Sequence, residues 1–314
     1  VTDIDIDIDN LTPLSSTMRI ALAGFGDVGR YFLEEFYSSP AHDVVLLSSR
    51  KHTLPEDVHV EQRVTKYTVE ELSQQLADCD AVVSTLAGPD DTFVSAHLAL
   101  LEACTRSPRC KRLIPSEYTV NVRDFPDQPV YTLRSRSAVR EALRGQSDVK
   151  WTIICNGWFM DYLLPLNQRY LKDLGNGWVT DHQSKIFELY GDGSQKVSLT
   201  SVRDTARAVM AILEDADDWA ECSLFSSQTL TYRELFELIK KRDPSWTART
   251  VSFASVLESV RTEKDEDQLT LTYLRIMGFT NANHIPQPSR PPKARARDVE
   301  TFLNEAEADR ERIP

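Results

Sequence analysis

The sequence predicts an α/β protein built on a doubly wound parallel sheet, with a smaller α/β region formed by its second half. Three observations carry this expectation. Short apolar runs alternate with amphipathic stretches between residues 19 and 155. The first run, Arg19-Ile20-Ala21-Leu22-Ala23, passes directly into Gly24-Phe25-Gly26-Asp27-Val28-Gly29 and then into a helical pattern. The second run, Asp43-Val44-Val45-Leu46-Leu47, ends in Ser48-Ser49-Arg50-Lys51.

The first strand and its turn form a Gly-x-Gly-x-x-Gly sequence in the context that a dinucleotide site requires. Gly24 permits the tight turn, Gly26 lets the backbone approach a pyrophosphate, and Gly29 lets the helix pack closely on the strand. The helix N-terminus then receives the phosphate charge. The end of the second strand selects the cofactor. An acidic residue there would bond a ribose 2′-hydroxyl, whereas hydroxyls and positive charge suit a 2′-phosphate. Ser48, Ser49, Arg50 and Lys51 point to NADP(H), with Arg50 either stacked on the adenine or forked onto the phosphate.

The next elements continue the alternation. Val64 to Tyr67 is expected as a short strand, and Val69 to Ala77 as a helix turning Leu72 and Leu76 to the core. Ala81 to Gly88 is expected as a buried strand whose exit borders the cofactor crevice. Phe93 to Ala103 is expected as a helix, Arg112 to Tyr118 as the fifth strand with its exit loop, Ser137 to Leu143 as part of a helix, and Lys150 to Cys155 as the sixth strand. The exits of such strands converge on one edge, where ligands bind.

The second half is patterned more loosely. A helix over the pocket is expected from Leu163 to Leu174, followed by a turn at Gly175-Asn176-Gly177 and short strands between Trp178 and Leu189. Gly191-Asp192-Gly193-Ser194 is a tight turn between strands. Helices are expected over 204–214 with Asp204 as N-cap, over 232–241 after a Thr231 cap, over 253–261, and over 269–277. Pro286, Pro288, Pro291 and Pro292 interrupt the chain before a polar helix from about Arg297 to Arg310. The expected organisation is an acidic arm at 1–17, a cofactor domain at 18–155 and a substrate region at 156–283. Within that region, 197–214 packs back on the first domain, and a Pro-rich linker with a terminal helix occupies 284–314.

Composition narrows the function. With 314 residues, 41% of them hydrophobic, the chain can bury a large core. A net charge of −12 argues against a nucleic-acid surface. No uninterrupted apolar stretch reaches membrane-spanning length, and no signal peptide opens the chain. Five cysteines without Cys-x-x-Cys spacing and six scattered histidines suggest neither a disulfide framework nor a metal site. A cytoplasmic protein with reduced thiols is expected.

Three blocks together resemble one family. The first is Gly24 to Gly29, the second Leu113-Ile114-Pro115-Ser116-Glu117-Tyr118, and the third Thr152-Ile153-Ile154-Cys155-Asn156-Gly157-Trp158-Phe159-Met160-Asp161-Tyr162. They look like the NmrA-like and isoflavone-reductase-like proteins, atypical short-chain dehydrogenases, and the likeness runs in order from Met18 to about Val260. The resemblance implies an NADPH-binding Rossmann domain. Gly24, Phe25, Gly26, Asp27, Val28 and Gly29 would lie along the pyrophosphate, and Arg50 and Lys51 along the adenosine phosphate. Leu86, Ala87 and Gly88 would lie on the ribose side, with Pro115 and Ser116 near the nicotinamide. Asn156, Gly157 and Phe159 would close the pocket, and Glu117, Trp158, Met160, Tyr162 and Leu163 would line the substrate space.

One departure from the family pattern bears on chemistry. The reductases carry a lysine four residues before the arginine of a Val-Arg-x-Ala sequence, and here that place holds Arg136, before Val139-Arg140-Glu141-Ala142. A lysine can shed its proton near neutral pH when buried or crowded, whereas arginine keeps its own. Arg136 therefore suits holding the nicotinamide ribose or steadying an oxyanion, and proton delivery falls to another group. None of the ten tyrosines is followed four residues later by lysine. Tyr118 or Tyr131 would then be the donor, if Arg134 or Arg136 lowered its pKa.

Two functional classes follow. One is an NADPH-dependent reductase of a small aromatic or polycyclic carbonyl or enone in specialised metabolism, with Arg136 and Tyr118 at the chemistry and a small molecule as its partner. The other is an NADP(H)-binding redox sensor, which alone would need a protein partner. A third, narrower class is an enzyme of specialised metabolism that retains the cofactor pocket and performs a non-redox rearrangement.

Overall fold

A computed structural model describes residues 17–88, 90–215, 219–286, 296–309 and 313. The acidic arm up to residue 16, with Pro288, Pro291, Pro292 and Arg310, lies outside the described residues. In chain order the first half contains β1 (Met18–Ala23), α1 (Asp27–Tyr37), β2 (His42–Ser48), β3 (Glu61–Val64), α2 (Val69–Gln75), β4 (Ala81–Ser84), α3 (Asp90–Arg106), β5 (Arg112–Ile114), β6 (Tyr118–Thr119), α4 (Leu133–Arg144) and β7 (Lys150–Trp151). The second half contains β8 (Ile153–Cys155), β9 (Trp158–Phe159), β10 (Thr180–Asp181), β11 (Ile186–Tyr190), β12 (Lys196–Thr200), α5 (Val202–Glu214), β13 (Cys222–Leu224), β14 (Gln228–Thr231), α6 (Tyr232–Arg242), β15 (Thr247–Val251), α7 (Phe253–Thr262), α8 (Glu266–Ile276) and α9 (Val299–Ala308).

The main sheet is six-stranded and parallel, in the order β3-β2-β1-β4-β5-β7. Both of its faces are covered, so the inner strands β1, β2 and β4 run largely apolar rather than alternating, while the edge strand β3 is polar. Ile20 and Leu22 face a core shared with α1 and α5, where Tyr31, Phe32 and Phe36 meet Val202, Ala206 and Val209. Ala21 and Ala23 face a second core built from Leu72 of α2, Phe93 and Leu100 of α3, and Val139 and Leu143 of α4. The order reverses between β1 and β4, which places a crevice at their carboxyl ends. A third core, from the second half, gathers Trp158, Trp178, Phe187, Leu199, Tyr232 and Phe302. Three three-stranded sheets surround it: β10-β11-β15, β14-β12-β9 and β13-β8-β6.

Several boundaries differ from expectation, each for a local reason. The third strand ends at Val64, because Tyr67 has φ 58° and cannot continue an extended strand. The expected sixth strand divides at Thr152. Its first part pairs with β5, while Ile153–Cys155 pairs with β6 and β13, and the Thr152 hydroxyl bonds Ser223 at 2.9 Å. No helix spans 163–174. Pro165 holds Leu164 extended (φ −95°, ψ 152°), leaving single 3-10 turns at Met160–Leu163 and Leu166–Gln168. Ser201, not Asp204, caps α5 by accepting from the Asp204 amide at 3.0 Å. Asp204 instead accepts from Arg297, at 3.0 Å from its Nε. Thr231 does cap α6, in a reciprocal box with Glu234. Among the described residues no helix is long and apolar enough to cross a membrane, and no group of acidic, histidine or cysteine side chains is arranged to hold a metal.

Candidate active site

The β1–α1 turn is built for an anion. Gly24 has φ 104°, a conformation that side chains resist, and its amide donates to Leu47 O at 2.8 Å, tying the turn to β2. A Cβ on Gly29 would sit 2.6 Å from Gly24 O and 2.8 Å from Thr85 Oγ1, so the helix start packs on the turn only with glycine there. Gly26 differs. It is exposed, and a Cβ there would meet nothing within 4 Å, so the space over the helix N-terminus is open to a phosphate. Phe25 and Val28 are half-buried beside it. Asp27 accepts from the Lys172 amide at 3.1 Å, and thereby tethers the 164–174 segment to the start of α1.

At the end of β2, Arg50 and Lys51 are exposed and neither makes an ion pair within the described residues. Phe25 meets His52 edge-on at 4.9 Å, and Arg30 lies 5.9 Å from the same ring. Burial, then Arg50 and Arg30, hold the His52 imidazole below its ordinary pKa. This corner thus carries positive charge that no carboxylate pairs with among the described residues.

The β4 and β5 exits meet beside the same crevice. Leu86, Ala87 and Gly88 leave β4, and Pro115 and Ser116 leave β5. His97 of α3 joins them. Its Nε2 accepts from the Ser116 amide at 3.1 Å and lies 3.0 Å from the Ser84 hydroxyl. Its Nδ1 donates to Phe93 O at 2.8 Å. Sequence reasoning passed over His97 as one of six scattered histidines. Only its four-residue spacing from Phe93 hinted at a shared helix face.

Glu117 forms a buried, forked ion pair with Arg140, whose Nε donates at 3.2 Å and whose Nη1 also reaches Pro126 O at 2.9 Å. Tyr118 donates to Ser84 O at 2.8 Å and packs on Phe32. Burial alone raises its pKa, so the lowering expected from Arg134 or Arg136 does not occur. Tyr131, 38% exposed, has no hydrogen bond within the described residues, and Arg136 offsets part of the rise that burial causes. The Arg136 guanidinium lies over the Phe93 ring at 3.4 Å.

Beyond β8, Asn156 is fully buried, and neither of its side-chain amide atoms has a partner. Gly157 (φ 74°) lies so close to β12 that a Cβ would fall 2.2 Å from Ser198 O. Phe159 is half-buried against the α1/α5 core. Trp158 donates to Asn283 at 3.0 Å and lies against Trp178 at 4.4 Å with the rings tilted by 34°, and Tyr162 is 6.0 Å from it. Trp158, Met160 and Leu163 are all buried in the third core, and Tyr162 lies at its edge. The structure therefore gathers the glycine turn, the β2 end, and the β4 and β5 exits along one edge, while the 156–163 residues reach it through packing.

Asp161 and His97 carry opposed pH dependences. Burial raises the Asp161 carboxyl to about 6, against the Val202 amide that donates to it at 2.9 Å, and its Oδ1 has no partner. Burial lowers His97 to about 4. The neutral Asp161 stabilises the fold below its unfolded pKa of 3.8, and that contribution is lost as pH rises through about 6. The neutral His97 stabilises it above 6.5, and that contribution is lost as pH falls through about 4. Each is worth on the order of 3 kcal/mol at its limit. Urea denaturation of each variant beside the parent between pH 4 and 7 isolates the two groups: relative to the parent, Asp161→Asn should gain stability as pH rises, and His97→Gln should lose it. A parent-like profile in both variants would refute the assignment.

The profile of the NAD(P)H-binding family matches residues 24–170. An "Oxidoreductase swnR" of Arthroderma benhamiae is 32% identical over 272 residues, which is 86% of this chain and 89% of that protein. The leucoanthocyanidin reductase of Vitis vinifera, solved as a binary complex with NADPH, superposes with a TM-score of 0.72 at 18% identity, covering 93% of this chain and 100% of that one. An isoflavone reductase superposes with a TM-score of 0.70 at 18% identity, covering 91% and 98%. With the glycine turn, the parallel sheet and these likenesses together, the chain belongs to the NmrA-like and isoflavone-reductase-like family of NAD(P)H-dependent oxidoreductases.

Proposed function

We propose that this oxidoreductase uses NADPH rather than NADH and reduces a small aromatic or polycyclic carbonyl or enone in specialised metabolism. The observation that carries the cofactor choice is the unpaired positive corner of Arg50 and Lys51, with Arg30 nearby, and no carboxylate at the end of β2. Residues 18–155 would hold the cofactor and 156–283 would shape the substrate space. Bound NADPH supplies the hydride. The protein's share is to fix the pyrophosphate on the Gly24–Gly29 turn, seat the 2′-phosphate, and present Arg136 as a permanent positive charge for an oxyanion. The Tyr118 hydroxyl is occupied by Ser84 O, so the less buried and unbonded Tyr131 is the better proton donor.

The aromatic substrate class rests on the isoflavone and leucoanthocyanidin reductases that share the fold, and on the Trp158, Tyr162 and Trp178 cluster beyond β8. The absence of the family's lysine favours one second reading, a sensor of the NADP+ to NADPH ratio that acts through a protein partner. Loss of reduced-nicotinamide absorbance with a panel of aromatic ketones and enones would support the reductase, and tight NADPH binding with no turnover the sensor.

Cofactor choice has a direct test. In the double variant Arg50→Ser, Lys51→Ser, NADPH affinity should fall roughly 10- to 100-fold, as charge-assisted contacts to the 2′-phosphate are lost. NADH affinity should change less than about twofold. Equal losses for the two cofactors in a fluorescence titration would place the 2′-phosphate elsewhere.

A further inference from the structure

Arg136 is a half-buried cation with little to hold it. It makes no ion pair within the described residues, and its one hydrogen bond is a long one, 3.4 Å to Ser135 Oγ. Burial lowers its pKa, with Glu117, Tyr131 and Asp90 opposing from a distance. What fixes it is a ring. Phe93, 2% exposed, lies 3.4 Å beneath the guanidinium, and the His97 imidazole stacks on the same ring at 3.9 Å and 29°. Two groups so near one centroid would collide on a single face, so they take opposite faces of Phe93.

The far end of this stack is pinned as well. His97 is 1% exposed, and with Nε2 accepting a backbone amide it is the neutral Nδ1-H tautomer. Ser84 Oγ, which His97 contacts, also accepts from the Leu86 amide at 3.4 Å. One contiguous column therefore runs from the β4 and β5 exits, through His97 and Phe93, to Arg136 on α4. A planar guanidinium lies flat on an aromatic face with more contact than an ammonium can make. An arginine at this place and a phenylalanine at 93 thus suit each other.

We propose that Phe93 and His97 are positioning residues that hold the Arg136 guanidinium flat at the nicotinamide end of the crevice and lock the Ser116 turn into the same unit. This rests on NADPH occupying the crevice as proposed above. The column acts on the nicotinamide half of the cofactor only, because the adenosine half is held by other elements, the Gly24 turn and the end of β2.

The test separates the two halves. NADPH and adenosine 2′,5′-bisphosphate are titrated into the full chain, and the emission of bound NADPH is recorded. In Phe93→Leu and in Arg136→Met, the NADPH Kd should rise about 5- to 10-fold, with bound emission moving toward that of free NADPH. The bisphosphate Kd should stay within about twofold. The double variant should be no worse than either single one, since the two residues act as one contact. His97→Gln, which keeps an acceptor for the Ser116 amide, should lie near the parent, and His97→Leu should match Phe93→Leu. Arg136→Met removes no core volume, so the test survives if Phe93→Leu fails to fold. Unchanged NADPH affinity and emission in Arg136→Met, additive losses in the double variant, or equal loss of the bisphosphate would each overturn the positioning role while leaving NADPH use intact. A parent that binds neither ligand would overturn the proposed function, and this inference with it.

Discussion

Gly26→Ala should raise the NADPH Kd roughly a hundredfold or more, by removing at least two charge-assisted hydrogen bonds of about 1.5–3 kcal/mol each. The fold should be nearly indifferent. Gly26 has φ −89°, which alanine adopts freely, and a Cβ there meets no protein atom within 4 Å. Alanine is a poorer N-cap than glycine by some tenths of a kcal/mol, and that loss is offset by the smaller entropy of the unfolded chain. The added methyl instead fills the space through which a pyrophosphate must approach the amides at the start of α1. Gly29→Ala is the contrast. Its Cβ would press on Gly24 O at 2.6 Å, so both the melting temperature and cofactor affinity should drop. Calorimetric titration beside a thermal melt distinguishes the two. A Gly26→Ala protein that binds NADPH as the parent does would remove the pyrophosphate from this turn.

The same contrast shows what was legible in the sequence and why. The β1–α1 turn could be read because its meaning is local: six consecutive residues fix a turn, a close approach and a helix start. The parallel, doubly wound character of the sheet followed from the alternation of apolar runs and helices. Where the outcome depended on residues far apart in the chain, the sequence was mute. The division at Thr152 is set by β13, about seventy residues later, and the pairing of Asp204 with Arg297 spans ninety-three. At 163–174 the local signal was Pro165, which holds Leu164 extended and breaks a helix begun at Leu163. His97 gave the least sign of itself. A histidine on an apolar helix face beside Phe93 looks like core, and only the folded chain brings Ser84 and Ser116 to it. Glu117 was placed in the substrate space at the mouth of the fifth strand, and nothing local revealed that Arg140 is the residue that closes on it from α4.

Arg140→Met should cost about 3–5 kcal/mol of stability, because it strands the Glu117 carboxylate in the interior. Both side chains are within 6% of complete burial, and the arginine also satisfies Pro126 O. Adding Glu117→Gln to Arg140→Met should recover part of the loss, because it removes the stranded carboxylate. The pair also sets the register of α4, which carries Arg136 one turn earlier, against the β5 exit loop, where the Ile154 amide donates to Glu117 O at 3.1 Å. Arg140→Met should therefore weaken NADPH binding several-fold even in the fraction that stays folded. If Glu117 instead served the substrate directly, Glu117→Gln would lower turnover at unchanged stability. If the ion pair is its role, Glu117→Gln leaves Arg140 as the stranded buried charge and lowers the urea midpoint before any substrate is added.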